Sequence, residues 1–295
     1  MKNLDKKNNL SIVIVNFNAG DFLQNCLQSL EKVREDTLFD VWVVDNASQD
    51  GSIEKAKQKF PQNHYIENKE NLGFGKANNI ALRQIKTEYV LFLNPDAKVL
   101  DKTLEFMLNY LDENPDVGAA TCKVEKMDGS LDWASHRGFP TPWASFMFFL
   151  GDDSLYHLTE HDLTKAHEVD AISGAFFMTR KSVLDKVGLF DEDYFLYAED
   201  IDLCFRIKQA GFKVMYVPEV KILHLKGVSS GIKKESLQIT TAKDKSRKRA
   251  LDSFYQTMVI FYQKHLAKDY PFFINWLVYL GINFKWFLAK RKMEV

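Results

Sequence analysis

Ser11–Phe17 reads SIVIVNF, and this unbroken run of mostly β-branched residues decides the fold class. A strand that is apolar at nearly every position is buried on both faces, which is typical of a parallel sheet covered by helices. The same pattern alternates with helical spacing along the first third of the chain. The predicted strands are 11–17, 41–44, 64–66 and 89–93, and the predicted helices are 22–30, 52–60, 75–85 and 100–111. This alternation predicts an α/β fold with a mainly parallel central sheet flanked by helices.

The pattern after residue 117 is weaker. No regular element is predicted for 117–169, and the aromatic, proline-containing segment 139–150 is interpreted as a mobile loop over a site. A second ordered block follows, with a strand at 171–179, a helix at 201–210 and a strand at 213–217. We therefore divide the chain into a main domain, 1–240, with halves at about 10–120 and 121–240, and a helical C-terminal extension, 241–295.

The C-terminal extension has its own character. A basic stretch at 243–249 precedes an amphipathic helix predicted at 251–266, and 271–288 is aromatic and apolar. Asn275, Asn283 and Lys285 interrupt this last segment, which makes it too short and too polar for a confident membrane span. Two interpretations are equally open. It forms an interfacial helix with a basic flank at a membrane surface, or it packs on the main domain or on a second subunit of a homodimer.

The composition narrows the function classes. Of the 295 residues 46% are hydrophobic and 27% are charged, as in a soluble globular protein, and the formal net charge of −1 gives no field that would attract nucleic acid. The three cysteines are far apart in the sequence, which favours a reducing compartment over a disulfide framework. Residues 1–9 are polar and contain no apolar core of a secretory signal, so we expect a cytoplasmic protein.

Polar residues follow three of the predicted parallel strands. The first strand runs into Asn16 and Asn18, the second into Asp45, and the fourth into Asn94 and Asp96. Ligands of open parallel sheets bind beyond the carboxyl ends of the strands, so a carboxylate there can bind a metal or accept a hydrogen bond from a base or sugar. Each residue taken singly is equally consistent with a helix cap. Three such strand ends together favour a ligand site.

Two further segments carry candidate chemistry. Asn71–Asn78 contains Gly73 and Gly75 between a strand and a helix, where the backbone can approach a phosphate or ribose, although the pattern by itself favours a plain entry from loop to helix. It is neither a Walker loop nor a complete dinucleotide fingerprint. Glu199 and Asp200 begin an acidic cluster that ends at Asp202, and the dipole of a helix N-terminus favours acids by itself. Asp202 is also placed to pair with Arg206 one turn later.

These segments, in order, resemble the family 2 inverting glycosyltransferases, whose fold is called GT-A. The resemblance extends over about 10–230, and Asn71–Asn78 is similar to the N-x-G-F-G-x-x-N segment of the rhamnosyltransferase-like branch. The matching segments are Val43–Ser52, Asn71–Asn78, Asn94–Asp96, Ser173–Phe177, Phe190–Glu192 and Glu199–Leu203, followed by His224, which the resemblance places on the next strand.

The resemblance implies a role for each candidate. Asp200 is the catalytic base and Glu199 its neighbour, while Asp96 and His224 hold one divalent metal, Mg²⁺ or Mn²⁺. Asn94 stands where the family's D-x-D motif has its first acid, so the metal depends more heavily on Asp96. The expected nucleotide-binding residues are Asn16, Asn18, Asp45, Asn71, Gly73, Gly75, Asn78 and Asn94. The expected acceptor or sugar contacts are Ser173, Gly174, Tyr197 and Trp133.

The resemblance also implies the partners. We expect a nucleotide-sugar donor, dTDP-rhamnose being favoured over UDP-galactofuranose and UDP-N-acetylglucosamine, and a lipid-linked or polysaccharide acceptor at the inner face of a bacterial membrane. A nucleotidyltransferase is disfavoured because residues 16–21 lack a glycine-rich loop with Arg and Lys. A non-catalytic sugar-binding protein of the same fold is disfavoured by the intact Asp45, Asp96, Asp200 and His224, although Asn94 leaves some room for it.

Overall fold

The computed structural model describes residues 9–35, 37–225 and 244–293. The strands are β1 Leu10–Asn16, β2 Phe39–Asp45, β3 His64–Glu67, β4 Tyr89–Leu93, β5 Ala97–Val99, β6 Val117–Lys126, β7 His167–Glu168, β8 Phe176–Arg180 and β9 Lys213–His224. The helices are α1 Asp21–Val33, α2 Ser52–Lys59, α3 Phe74–Leu82, α4 Thr103–Glu113, α5 Pro142–Phe149, α6 Ser154–His157, α7 Lys181–Val187, α8 Glu199–Gln209, α9 Asp244–Phe261 and α10 Phe272–Met293.

The described strands form one sheet in the order β3-β2-β1-β4-β8-β6-β9-β5, with β7 also paired to β9. The pairings from β3 to β4 are parallel, as the sequence predicts. Beyond β4 the sheet is mixed, since β8 runs antiparallel to both β4 and β6. β9 runs parallel to β6, and both β5 and β7 run antiparallel to β9.

Two apolar layers cover the two faces of the sheet. The side chains of β1 contribute alternately to one layer and to the other. Ile12 and Ile14 point into the layer formed with α1, α2 and α4. Val13 and Val15 point into the opposite layer, formed with α3, α7, α8 and the end of α9. Alternate side chains of a strand face opposite sides, so a doubly covered strand must be apolar throughout. This confirms the α/β prediction made from Ser11–Phe17.

Four elements of the irregular middle, β6, α5, α6 and β7, were not predicted. β6 was not predicted because its core positions are small; a Cβ on Gly118 would lie 2.6 Å from Ile207 Cγ2, so this position has room for glycine alone. The segment interpreted as a mobile loop contains α5. Thr141 caps this helix by accepting a hydrogen bond from the Ala144 amide at 3.2 Å, and Pro142 occupies its first turn.

The C-terminal helices are joined to the main domain. Phe261, Tyr262 and Leu266 at the end of α9 are buried in the second apolar layer. α10 packs along α9, where Trp286 Nε1 donates to Asp252 Oδ1 at 2.8 Å. With 22 residues α10 is longer than the predicted 271–288 segment. Among the described residues one helix, Phe272–Lys292, is long and apolar enough to cross a membrane by length and composition.

Candidate active site

The polar strand ends predicted from the sequence meet along one edge of the sheet. The register of β1 and β2 places Asn16 beside Asp45. β4 ends at Leu93, which pairs with Phe176 at the start of β8, so Asn94 and the residues before β8 lie at the same edge. The Asn94 amide donates to Ala175 O at 3.4 Å across this junction. Ser173 and Gly174 therefore lie beside the D-x-D-like segment.

Asp45 is held by its neighbours at the end of β2. Its Oδ1 accepts from Asn16 Nδ2 at 2.7 Å and its Oδ2 from the Ser48 amide at 2.9 Å. Asn16 is fully buried, and its amide also reaches Ser52 Oγ at 2.9 Å. A fully buried side chain has no surface for a ligand. Asn16 therefore acts in this structure as the residue that orients Asp45 rather than as a nucleotide contact.

The loop after β1 is tied to the loop after β2. Asn18 adopts a left-handed backbone with φ 50° and accepts the Gln49 amide at 2.7 Å. Asp50 receives hydrogen bonds from the Gly20 amide at 2.7 Å and from Ser52. Burial opposes the ionised form of Asp50, but these hydrogen bonds outweigh it and lower the pKa of the carboxyl. These hydrogen bonds join the two loops beside Asp45.

Residues 71–78 connect the two halves of the domain. Asn71 Oδ1 accepts the Gly73 amide at 2.9 Å, and the Phe74 amide donates to Phe195 O at 2.9 Å, so the loop is fixed against the acceptor half. Asn78 is fully buried and donates to Phe74 O in its own helix at 3.0 Å. Like Asn16, it lies behind the surface in this structure. Gly75 faces Phe190, 3.1 Å from the position of an added Cβ.

Asp96 and His224 are adjacent, as the resemblance implies, but they are not alone. His224 Nε2 lies 3.2 Å from Asp96 Oδ1 and 3.3 Å from Asn94 Nδ2, and Nδ1 lies 3.0 Å from Asp132 Oδ2. His224 is the last residue of β9, the strand that follows α8, as the resemblance implies. Burial alone would lower the pKa of His224, but the two carboxylates outweigh it and raise the pKa to about 9.

The donor set fits a divalent cation that is completed by substrate. Two ligands about 2.1 Å from an octahedral ion lie roughly 3.0 Å apart, close to the 3.2 Å between Asp96 Oδ1 and His224 Nε2. Asp132 on Nδ1 leaves Nε2 facing Asp96 and Asn94, and carboxylates orient metal-binding histidines in this way. In the described part of the chain no three His, Cys, Asp or Glu side chains form a preformed metal site. The remaining ligands would come from phosphate and water.

The acceptor side is built around an ion pair. Asp200 Oδ2 lies 3.1 Å from Arg137 Nη2, and both side chains are largely buried. Asp200 Oδ1 accepts the Ile201 amide at 2.8 Å. Burial opposes the charge on Arg137, but Asp200 outweighs it and raises the pKa of the guanidinium. Arg137 and Asp200 therefore form a largely buried ion pair.

Glu199 differs from its neighbour in its surroundings. It is 5% exposed, and its Oε2 atom has no hydrogen-bond partner among the described residues. Burial, followed by the charge of Asp200, raises the pKa of Glu199 to about 8. The adjacent acids thus differ in their surroundings: Asp200 forms an ion pair with Arg137, whereas burial and the neighbouring carboxylate favour the protonated form of Glu199. The Ser173 hydroxyl at the same sheet edge is also buried without a hydrogen-bond partner.

We expect Glu199→Gln to stabilise the fold increasingly as pH rises. Unfolded Glu199 ionises near 4.5, whereas folded Glu199 stays protonated to about 8, so the wild-type free energy of unfolding falls between these values. The slope from this group reaches about 1.4 kcal/mol per pH unit. Urea unfolding at pH 5, 6.5 and 8 measures it. The control Glu192→Gln should instead lower the free energy of unfolding by a nearly constant amount at these three pH values, because Asn79 and Arg83 lower the pKa of Glu192 in the folded state. A pH-independent gap between Glu199→Gln and wild type would contradict the assignment.

The turn before α8 is strained. Tyr197 and Ala198 both have left-handed backbones, with φ 75° and 64°, immediately before Glu199. Tyr197 packs edge-on against Phe254 of α9, with ring centroids 5.7 Å apart. Asp202 pairs with Arg206, as expected from their spacing, and with His265 Nε2 at 2.6 Å. The C-terminal extension therefore contacts the chain on both sides of Glu199 and Asp200, at Tyr197 and at Asp202.

The remaining acceptor candidates lie at two places. Gly174 is packed beneath Phe74, where an added Cβ would lie 2.7 Å from the ring. Trp133 follows Asp132 and stacks on His157, with ring centroids 5.3 Å apart. Trp133 is half-buried, and it lies next to Asp132, the partner of His224, rather than beside Asp200.

Sequence reasoning missed Asp132 and the pairing of Arg137. Asp132 is 92 residues from His224 in the chain, and Arg137 is 63 residues from Asp200. Asp132 also caps the short helical turn at 133–135 by accepting the Ala134 amide at 3.1 Å. That Asx-turn pattern was the one local signal available, and it predicts a cap rather than a partner for a histidine.

Comparisons with known proteins agree with this geometry. N-acetylglucosaminyl-diphospho-decaprenol L-rhamnosyltransferase of Mycobacterium tuberculosis is 28% identical over 250 residues, which cover 75% of this chain and 78% of that protein. Rhamnosyltransferase WbbL of Escherichia coli K12 is 29% identical over 220 residues, 72% of this chain and 82% of that protein.

Solved structures show the fold. The mannosyltransferase PcManGT of Pyrobaculum calidifontis, in complex with GDP-Man and Mn²⁺, has a TM-score of 0.55 at 15% identity, over 98% of this chain and 88% of that one. GalNAc-T7 with UDP, GalNAc and Mn²⁺ has a TM-score of 0.57 at 17% identity, over 84% of this chain and 48% of that one. The expected GT-A fold is confirmed.

The family of this chain is shown by a match to a sequence model of a protein family. The matched residues include most of the polar side chains at this edge of the sheet. The model for glycosyl transferase family 2 matches residues 11–188, from the start of β1 to the end of α7. That range is more than half of the chain and includes Asp45, Asp96, Asp132 and Arg137. The chain belongs to glycosyl transferase family 2 and is a glycosyltransferase.

Proposed function

We propose that this enzyme transfers L-rhamnose from dTDP-rhamnose to a hydroxyl of a lipid-linked acceptor in cell-surface polysaccharide synthesis, with inversion at the anomeric carbon. The observation that carries this proposal is that the two relatives described above are both rhamnosyltransferases and match along about three quarters of their length. One of them is named for a diphospho-decaprenol acceptor.

The donor side provides a place for each part of a nucleoside diphosphate sugar. Asp45 is oriented by Asn16 and Ser48, yet each carboxylate oxygen keeps a lone pair that can accept from the N–H of a thymine or uracil. Asp96 and His224 would hold a divalent cation against the diphosphate, and Asp132 fixes the imidazole. When bound, the cation stabilises the negative charge that develops on the leaving diphosphate.

The acceptor side performs the proton transfer. Asp200 takes the proton of the acceptor hydroxyl as the hydroxyl oxygen bonds to the anomeric carbon. The bond from that carbon to the diphosphate breaks, and its electron pair leaves with the diphosphate. Arg137 holds the base in place through their ion pair, and the protonated Glu199 can donate a hydrogen bond to an acceptor oxygen. A protonated Glu199 cannot itself serve as the base at neutral pH.

Donor binding tests the proposal. With dTDP-rhamnose and Mn²⁺ at about 100 times the Kd, we expect a stabilisation of about 2.7 kcal/mol, which raises Tm by roughly 5–10 °C. UDP-galactofuranose and UDP-N-acetylglucosamine are the comparison donors, and release of nucleoside diphosphate is the second measurement. A larger response to either comparison donor would make the rhamnose assignment wrong. No response to any of the three donors would make the proposed class of donor wrong.

The same titration tests the metal ligands. EDTA, or Asp96→Asn, is expected to remove most of the dTDP-rhamnose stabilisation, since the diphosphate then faces no cation. The control Asp101→Asn removes an exposed acid from the neighbouring loop and should behave as wild type. If Asp96→Asn keeps the full metal-dependent shift, the cation is held elsewhere.

A further inference from the structure

Exposed aromatic side chains are concentrated on two helices that the transfer chemistry does not use. On α5, Trp143 and Phe149 are each 61% exposed and Phe146 is 50% exposed. α10 presents a longer row along one face, comprising Phe273, Trp276, Leu277, Leu280, Phe284, Phe287 and Leu288, all more than 40% exposed. Single exposed apolar residues are ordinary, but contiguous sets of this size mark an interaction surface.

The two helices form one surface. Lys285 of α10 places its Nζ over the ring of Phe149, at the end of α5, 4.7 Å from the centroid. The opposite face of α10 is occupied by α9, where Tyr279 packs against Tyr262 and Trp286 against Tyr255. α10 is thus apolar on both faces, with one face packed and one open. A helix that is apolar all round is normally buried or in contact with lipid.

The charges on α5 and α10 indicate what binds to their exposed surface. Neither α5 nor α10 contains an acidic residue, whereas α10 carries four cations, Lys285, Lys290, Arg291 and Lys292. Of these, Lys290 is paired with Asp252 of α9 at 3.1 Å. Aromatic side chains beside a cluster of cations suit the interface of an anionic bilayer. A symmetric contact with a second copy would bring two such helices together, with no carboxylate from either to balance the cations.

We propose that α5 and α10 together bind the surface of a bilayer containing anionic phospholipid. The aromatic rows enter the boundary between headgroups and acyl chains, and the cations at the end of α10 pair with lipid phosphates. α5 begins five residues after Arg137, the partner of Asp200. The bound membrane therefore lies on the acceptor side of the site, a consequence that rests on the proposed function, whereas lipid binding itself does not.

Vesicle sedimentation with the full chain tests the proposal. We expect binding to phosphatidylcholine vesicles containing phosphatidylglycerol, weaker binding to phosphatidylcholine alone, and weakening with salt. The double variant Trp143→Ser/Phe149→Ser should bind at least tenfold more weakly, and so should Phe284→Ser/Phe287→Ser. The control Phe106→Ser changes an exposed aromatic residue on α4 and should bind as wild type. Arg291→Gln/Lys292→Gln should lose about fivefold per charge on the anionic vesicles.

Circular dichroism and donor-induced Tm shifts verify that each variant is folded. Full binding by the α5 variant would overturn the joint surface, since α10 would then suffice alone. No vesicle binding by wild type, together with a dimer in light scattering that both aromatic variants dissociate, would assign the surface to a second copy. A failure of dTDP-rhamnose to bind while vesicles bind would reject the proposed donor and leave the membrane surface intact.

Discussion

Asp200→Asn should lower kcat for glycosyl transfer by about 10³-fold, within the range that general base catalysis contributes. The amide is close in size to the carboxylate and can still accept from the Ile201 amide, but it cannot take the acceptor proton. It also leaves Arg137 without its buried counter-charge, so we expect a small loss of stability as well. Donor binding should be unchanged, because Asp45 and the Asp96–His224 pair are intact.

The matched comparison is Glu199→Gln, one residue away. Gln preserves the neutral hydrogen-bonding group that protonated Glu199 provides, so we expect it to keep most of the wild-type kcat at neutral pH. Single-turnover release of nucleoside diphosphate with saturating acceptor measures both variants. If Asp200→Asn keeps turnover and Glu199→Gln loses it, the assignment of the base is wrong.

Gly73→Ala is expected to destabilise the fold by roughly 3–5 kcal/mol, the sum of backbone strain and overpacking. Gly73 has φ 87° and ψ 179°, a region that essentially only glycine occupies. An added Cβ would lie 2.2 Å from Phe195 O, the atom that accepts the Phe74 amide. If the backbone at Gly73 or at Phe195 moved to make room, the loop 71–78 would separate from the turn before α8. Thermal unfolding should show a drop in Tm of about 10 °C.

Gly20→Ala separates strain from crowding. Gly20 also has an unusual backbone, φ 58° and ψ −135°, but an added Cβ there would meet no atom within 4 Å. We expect it to cost only the strain, about 1–3 kcal/mol. Equal losses for the two variants would show that contact with Phe195 contributes nothing. For Gly73→Ala we also expect weaker donor binding, measured by the dTDP-rhamnose titration.

The elements that the sequence predicted share strong local signals. Ser11–Phe17 is apolar at almost every position because β1 faces two apolar layers, and that pattern requires no knowledge of the neighbours. β6 lacks such a signal, since Gly118 and the alanines after it are small to admit Ile207 and Phe212. α5 was mistaken for a loop because its aromatic side chains are exposed rather than arranged around a buried face.

The candidate site divides in the same way. Asp45, Asp96, Asp200 and His224 were found through ordered motifs, and the structure places them at one end of the sheet with definite partners. Motifs did not separate residues that reach the surface from those that support them. Asn16 and Asn78 have the expected residue type at the expected position, yet both are fully buried.

The sequence by itself determined the α/β class, the order of the elements and the set of candidate acids, because periodicity and motif order are local properties of the chain. Only the tertiary structure decided which acid forms an ion pair, which nitrogen of His224 faces Asp96, and which aromatic residues remain uncovered. Those properties depend on groups brought together from distant positions, such as Arg137 with Asp200, Asp132 with His224 and Lys285 with Phe149. Burial and charge at a residue are set by all of its neighbours in space, and the sequence around that residue contains few of them.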